Sequence, residues 1–68
     1  MTIISRTDNK AHVQHNNKYY VVSDNGMETL VFPSNTQGEI TNWLEVGGGR
    51  GYTLDEVLED FANILHPF

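Results

Sequence analysis

Polar and apolar residues alternate along two neighbouring segments in the first third of the chain and predict a β-hairpin. Residues 11–15 alternate small or apolar side chains with polar ones, and residues 18–23 are rich in aromatic and β-branched side chains. Asn16 and Asn17 lie between them and tolerate the positive φ angles that a two-residue turn requires. The pattern therefore predicts two antiparallel strands joined at this turn.

The same turn decides which residues of the hairpin share a face. It places Val13 opposite Tyr20, and Ala11 opposite Val22. We expect these four side chains to face the core. The residues expected on the other face are His12, Gln14, Tyr19 and Val21.

A third strand is predicted over residues 28–32, but the turn before it allows two registers. A two-residue turn would place Leu30 beside Val21, whereas a three-residue turn would place Leu30 beside Tyr20. A shift of one residue moves every side chain to the opposite face of the sheet. The sequence leaves both registers open.

Residues 39–46 alternate in a way that favours a fourth strand. Ile40, Leu44 and Val46 would lie on one face, with Trp43 on the other. A helix is the alternative, since the spacing of Ile40, Trp43 and Leu44 also suits one helical face.

Two further segments are predicted to lie outside regular structure. The glycine-rich run 47–51 is typical of a flexible hinge. Residues 1–9 become polar after two isoleucines and are expected to form a flexible lead-in. Ile3 and Ile4 can add an edge strand there.

The end of the chain carries the signals of an amphipathic helix. Thr53 and Glu56 have the spacing of a capping box, and Tyr52 and Val57 that of a hydrophobic staple. The predicted apolar stripe comprises Leu54, Val57, Leu58, Phe61, Ala62 and Leu65. The residues predicted to end the helix are His66 and Pro67.

Together these elements predict one small α+β domain over residues 1–68. Its architecture is a three- or four-stranded antiparallel β-meander, with one C-terminal helix packed on one face. A domain of this size has a small core, with a net stability of about 3–5 kcal/mol.

Charge and composition restrict the partners and the compartment. Nine Asp and Glu against four Lys and Arg leave a net charge of -5, and the basic residues are scattered, so we expect no binding to nucleic acid. The chain has no cysteine, which excludes disulfides and fits a cytoplasmic protein. No apolar run approaches the ~20 residues of a membrane span, and the first residues do not resemble a secretory signal.

The candidate chemistry of the sequence does not indicate an enzyme. No paired carboxylates and no Ser-His-Asp or Cys-His set stand out, and we expect no catalytic residue and no cofactor. His12 and His15 are three apart on a strand and therefore on opposite faces, which argues against a shared metal ion. The glycine-rich run lacks the lysine of a phosphate-binding loop and is followed by two helix carboxylates.

The aromatic residues provide the main functional prediction. A single helix covers only one face of a small sheet, so Tyr19, Val21 and Trp43 are candidates for an uncovered apolar patch on the other face. We therefore predict a non-enzymatic interaction module that binds a protein partner or forms a homodimer.

Two alternatives from other functional classes remain open. The helix carboxylates Asp55, Glu56, Glu59 and Asp60 form an acidic patch. Such a patch would suit an inhibitor that occupies a nucleic-acid-binding surface of a host protein. The other alternative is a small-ligand-binding domain that uses Arg50 and the glycine-rich run.

The order of these elements resembles that of small uncharacterised proteins of bacteria and their phages. The residues that carry the resemblance are 15–23, 28–32, 38–40 and Trp43. It covers residues 12–61 and implies the same meander and acidic helix in a bacterial or phage setting. The short connection 24–27 and the glycine-rich run depart from that pattern. The resemblance implies no activity and no site residue.

Overall fold

A five-stranded antiparallel sheet followed by two short helices makes up the protein in a computed structural model, which describes residues 1–65. The strands are β1 (Thr2–Arg6), β2 (Lys10–His15), β3 (Lys18–Asp24), β4 (Glu28–Ser34) and β5 (Gly47–Arg50), and the helices are α1 (Leu54–Glu59) and α2 (Phe61–Ile64). The strands neighbour one another in chain order. The α+β class and the antiparallel meander are therefore confirmed, with one strand and one helix more than predicted.

The hairpin of β2 and β3 has the predicted register. Val13 pairs with Tyr20, and Ala11 pairs with Val22. Asn16 and Asn17 have φ angles of 51° and 64°, so both occupy the left-handed region that a primed two-residue turn needs.

The first residues form an edge strand and not a flexible lead-in. β1 pairs antiparallel with β2 from Thr2 to Arg6, and its register shifts between Ile3 and Ser5. A shift of this kind marks a β-bulge, in which one strand carries an extra residue. Ile4 is that extra residue.

The register of β4 is neither of the two predicted ones, because Leu30 pairs with Ser23. The turn lies one residue later than expected, because the Asn25 N–H donates to the Glu28 carbonyl at 3.1 Å and Gly26 and Met27 form the tip. The Asn25 Oδ1 accepts hydrogen bonds from the backbone N–H groups of Met27 and Glu28, at 3.0 and 2.9 Å. This Asx turn satisfies two N–H groups at the tip of the hairpin and stabilises the shifted turn.

Residues 39–46 form neither the predicted strand nor a helix. They belong to a loop, residues 35–46, that folds back over the sheet and is called the tryptophan loop below. Ile40 makes an isolated bridge to Ser34.

The glycine-rich run, predicted to be a hinge, forms the edge strand β5. Gly48 pairs with Leu30 of β4. Its φ angle is +90°, and a Cβ atom there would lie 2.0 Å from the Thr29 carbonyl oxygen. Only glycine fits at this position, since any side chain would overlap the neighbouring strand.

The predicted capping box is present at the start of α1. The Thr53 side chain accepts from the Glu56 N–H, and the Glu56 side chain accepts from the Thr53 N–H. The helix is shorter than predicted, because Asp60 leaves helical geometry at φ -124° and ψ 35° and α2 follows it. Leu65 is extended and bridges Gly47. The predicted helix end at His66 and Pro67 lies outside the described residues.

One face of the sheet and the two helices enclose the core. Its buried residues are Ala11, Val13, Val22, Val31, Leu54, Val57, Leu58 and Phe61. Thr29 is also buried, and its hydroxyl donates to the Tyr52 carbonyl oxygen at 2.7 Å. Of the predicted helix stripe, Ala62 is exposed because the chain turns at the break before α2.

Removing the N-cap of α1 tests how much this local signal stabilises the fold. We expect Thr53→Ala to lower the free energy of unfolding by about 1 kcal/mol, because one helix N–H loses its acceptor. Thr53→Ser keeps the hydroxyl and serves as the matched control. Urea unfolding followed by circular dichroism measures both, and equal midpoints for the two variants would contradict the role of the cap.

Candidate functional site

The sheet face opposite the helices, called the second face below, is not open as predicted. Its central side chains are His12, Val21 and Phe32 on adjacent strands. All three are buried, and Val21 is only 5% exposed. The tryptophan loop lies over this face and shields the row from water. Val21 therefore presents almost no surface to a partner.

Trp43 is the most prominent side chain of the covering loop. Its indole packs against the ring of Phe32, with centroids 5.3 Å apart and an angle of 59° between the planes. It is nevertheless 72% exposed, and the neighbouring Leu44 is 73% exposed. The Asn42 Oδ1 accepts from the Leu44 N–H at 3.0 Å, which forms a turn around Trp43. Trp43 and Leu44 thus form an exposed apolar pair on an ordered turn.

His12 joins the loop to the sheet. Its Nε2 lies 3.2 Å from the Asn35 carbonyl oxygen, and because a carbonyl only accepts, Nε2 carries the hydrogen. The ring also lies under Gly38, where a Cβ atom would come within 3.2 Å of Nδ1. His12 is therefore a structural residue of the loop–sheet contact.

The loop is also held together by its own hydrogen bonds. The Asn35 Oδ1 accepts from the N–H groups of Gln37 and Glu39, both at 3.0 Å. The Thr41 N–H donates to the Pro33 carbonyl at 2.9 Å. Compact loops of this length whose ends lie close together are often functional. These hydrogen bonds fix the backbone of the segment that leads to Trp43.

The three predicted patch residues do not form one exposed surface. Tyr19 is half-buried, its ring lies 5.8 Å from that of His12, and it lines a cleft of about 440 Å³ together with Val46. Trp43 and Val21 line a different cleft, beside β1. Leu44 was missed as a surface residue, although an Asn two residues before it is the sequence signal of an Asx turn.

The cleft beside Trp43 has a volume of about 400 Å³ and a positive lining. Arg6 and Lys10 line it together with the buried His12. None of the nine carboxylate residues of the chain lines it. Of its two cationic residues, Arg6 is paired with Asp55 of α1.

The predicted acidic patch lies on α1 and at the break after it, on the helix side of the sheet. Its four residues, Asp55, Glu56, Glu59 and Asp60, are all exposed. Three of them make contacts within the chain: Asp55 pairs with Arg6 of β1, Glu56 caps α1, and Asp60 accepts from a side-chain amide of α2. An exposed ion pair such as the first contributes little to stability.

Within residues 1–65, no three His, Asp or Glu side chains come together in a way that would hold a metal ion. Neither described helix is long and apolar enough to cross a membrane.

Comparisons with known proteins give no relative for this chain. No protein family, no curated protein and no solved structure is significantly similar to it. The resemblance to small bacterial and phage proteins therefore stays a prediction, and the candidate site rests on its own geometry.

Proposed function

We propose that this protein is a non-enzymatic interaction module whose contact surface is the Trp43–Leu44 turn of the tryptophan loop. The observation that carries the proposal is the state of Trp43, which is 72% exposed and yet packed against buried Phe32. Tryptophan is enriched among residues that dominate binding energies at protein interfaces. Here the largest side chain of the protein is presented to solvent.

The organisation of the loop favours binding, because little flexibility is lost when a partner covers an ordered surface. The turn at Asn42 holds the backbone of Leu44, and the contact between Asn35 and His12 fixes the base of the loop. Ordering a mobile loop would otherwise reduce the affinity. Leu44 extends the apolar area next to the indole.

Substitution of Trp43 tests this function. We expect Trp43→Ala to raise the Kd for a protein partner at least ~30-fold, which corresponds to a loss of about 2 kcal/mol. Partners are captured from a lysate of the source organism, identified by mass spectrometry, and then titrated with the purified variants. Met27→Ala is the matched control, because Met27 is 67% exposed in the turn before β4.

Two results would contradict the proposal. One is a partner that binds Trp43→Ala and the parent chain with the same Kd. The other is a partner whose binding is reduced equally by Met27→Ala and Trp43→Ala. Circular dichroism of each variant confirms that the fold is retained.

The acidic inhibitor remains a second candidate, supported by the exposure of all four carboxylates on the helix side. It differs from the first candidate in its response to salt, because screening weakens contacts between exposed charges. Capture at low and high salt separates the two. A partner that is released by salt and also lost on Glu59→Lys, but retained by Trp43→Ala, would assign binding to the acidic patch.

A further inference from the structure

The cleft beside β1 has the form of a small-molecule site. Its floor is made by His12 and Val21, which pair across β2 and β3 on the second face. One wall is the connection between β1 and β2, and the other is the tryptophan loop from Gln37 to Trp43. The volume of about 400 Å³ is in the range of ordinary ligand pockets.

An aromatic and two aliphatic side chains make the apolar part of this cleft. Trp43 lines it and is 72% exposed, although its ring also packs against Phe32. Ile40 of the loop and Val21 of β3 are the aliphatic lining residues. Planar groups stack favourably on an indole ring. The cleft therefore suits a ligand with an aromatic body.

Lys10 provides the available positive charge of the cleft. It lies two residues before His12 on β2, so both side chains are on the second face. Within residues 1–65, the one ion pair joins Arg6 to Asp55, and Lys10 is exposed and outside it. A ligand anion in the cleft would therefore meet one unpaired ammonium group.

Acidic residues adjoin the cleft in the sequence but do not line it. Glu39 lies in the loop between two lining residues, and its Oε1 accepts from the Asn35 Nδ2 at 3.0 Å. Asp8 follows the lining residue Thr7 in the connection between β1 and β2, and it is exposed. No carboxylate of the lining would thus oppose a bound anion.

His12 adds a second polar contact at the floor. Its Nε2 donates to the Asn35 carbonyl, so Nδ1 of the neutral ring is an acceptor. Within residues 1–65, Nδ1 has no hydrogen-bond partner, and no side-chain nitrogen or oxygen without a partner is sealed from solvent. The Nδ1 atom is therefore available to a hydrogen-bond donor in the cleft.

We propose that this cleft binds a small arylalkanoic acid, that is, an aromatic body with one carboxylate. The aromatic body lies against Trp43 and Ile40, and the carboxylate accepts a charge-assisted hydrogen bond from Lys10. One unpaired lysine favours a monoanion over a more highly charged ligand. The site is remote from Arg50 and the glycine-rich run, which lie at the opposite edge of the sheet. It goes beyond the proposed function, although both use Trp43.

An NMR titration with three probes of the same skeleton tests this site. Trp43 is the one tryptophan of the chain, so its indole N–H gives a single signal. The probes are phenylpropanoate, phenylpropanol and phenylpropylamine, which are anionic, neutral and cationic. We expect the Kd of phenylpropanoate to be at least ~5-fold lower than that of phenylpropylamine, because Lys10 attracts the first and repels the second. The Kd of phenylpropanol should lie between them.

Two lysine variants assign the preference for an anion. Lys10→Gln should raise the Kd of phenylpropanoate to that of phenylpropanol and leave the Kd of phenylpropanol unchanged. Lys18→Gln removes the same charge at the start of β3, outside this cleft, and should keep the preference of the parent chain. Circular dichroism confirms that both variants are folded, and the comparison of the three probes on the parent chain stands without them.

Three results would overturn the ligand site. One is the absence of a saturable shift of the Trp43 signal up to the solubility limit of phenylpropanoate. Another is an equal Kd for all three probes. The third is a shift of the Trp43 signal without shifts of the Val21 and Gly38 amide signals, which would place the probe on the outer surface of the loop. None of these results bears on the binding of a protein partner, which is measured separately.

Discussion

Gly48→Ala should remove most of the free energy of unfolding of this protein. An L-residue at a φ angle of +90° is strained by about 1–2 kcal/mol. In addition, the new Cβ would lie 2.0 Å from the Thr29 carbonyl oxygen, so β4 and β5 must separate. We expect a total loss of at least ~3 kcal/mol, which is comparable to the whole stability of a chain this small.

Gly51→Ala separates the backbone strain at positive φ from the steric clash of the new Cβ atom. Gly51 also has a positive φ angle, of +82°, but a Cβ atom there meets nothing within 4 Å. This variant should therefore lose only the strain of about 1–2 kcal/mol. Urea unfolding followed by circular dichroism compares the two. If Gly48→Ala is as stable as Gly51→Ala, β5 does not pair closely with β4.

Phe61→Ala should lower the free energy of unfolding by about 3–5 kcal/mol. Phe61 is 3% exposed and is the largest side chain in the buried core. Its ring contacts Tyr20 and His15 edge-on, with both centroid distances at 5.4 Å. Truncation would leave a cavity between α2 and β3, and it would remove two aromatic contacts.

Phe61→Leu is the control for this prediction. Leucine keeps most of the apolar volume but not the ring, so we expect a loss of less than about 2 kcal/mol. Thermal unfolding followed by circular dichroism tests whether Phe61→Ala is less stable than Phe61→Leu. Equal midpoints would show that the buried volume of the Phe61 side chain does not stabilise the packing of α2 on the sheet.

The candidate site could be predicted from the sequence only in part. The sequence predicts that Trp43 is exposed, and it is. The predicted position of Trp43 on an uncovered sheet face is wrong. Trp43 lies on the loop that covers the face, and this same covering buries Val21. Alternation within a strand separates two faces but does not show which face a distant loop will cover.

The edge at β1 illustrates the same limit. Ile3 and Ile4 indicated a short strand, because β-branched residues favour extended backbone. Their exposure depends on the position of β1 at the end of the strand order. Strand order is a property of the whole sheet, and nothing within residues 2–6 encodes it.

Features whose partners lie near in the chain could be predicted from the sequence. The hairpin register follows from two adjacent asparagines that both accept positive φ angles, and the helix start follows from a capping box that spans four residues. In both, the hydrogen-bonding groups that decide the structure lie within a few residues of one another. Local chemistry therefore suffices to predict them.

Features whose partners lie far apart in the chain depend on the assembled fold. Residues 47–50 form a strand because their glycines allow the backbones of Thr29 and Ile64 to approach more closely than a Cβ atom would permit. The break at Asp60 lets Leu65 reach Gly47, and the tryptophan loop lies on His12 and Phe32. Contacts between residues about 10–25 positions apart are chosen by packing and by hydrogen bonding in the assembled fold, which overrides the local preference for a hinge, a strand or a longer helix.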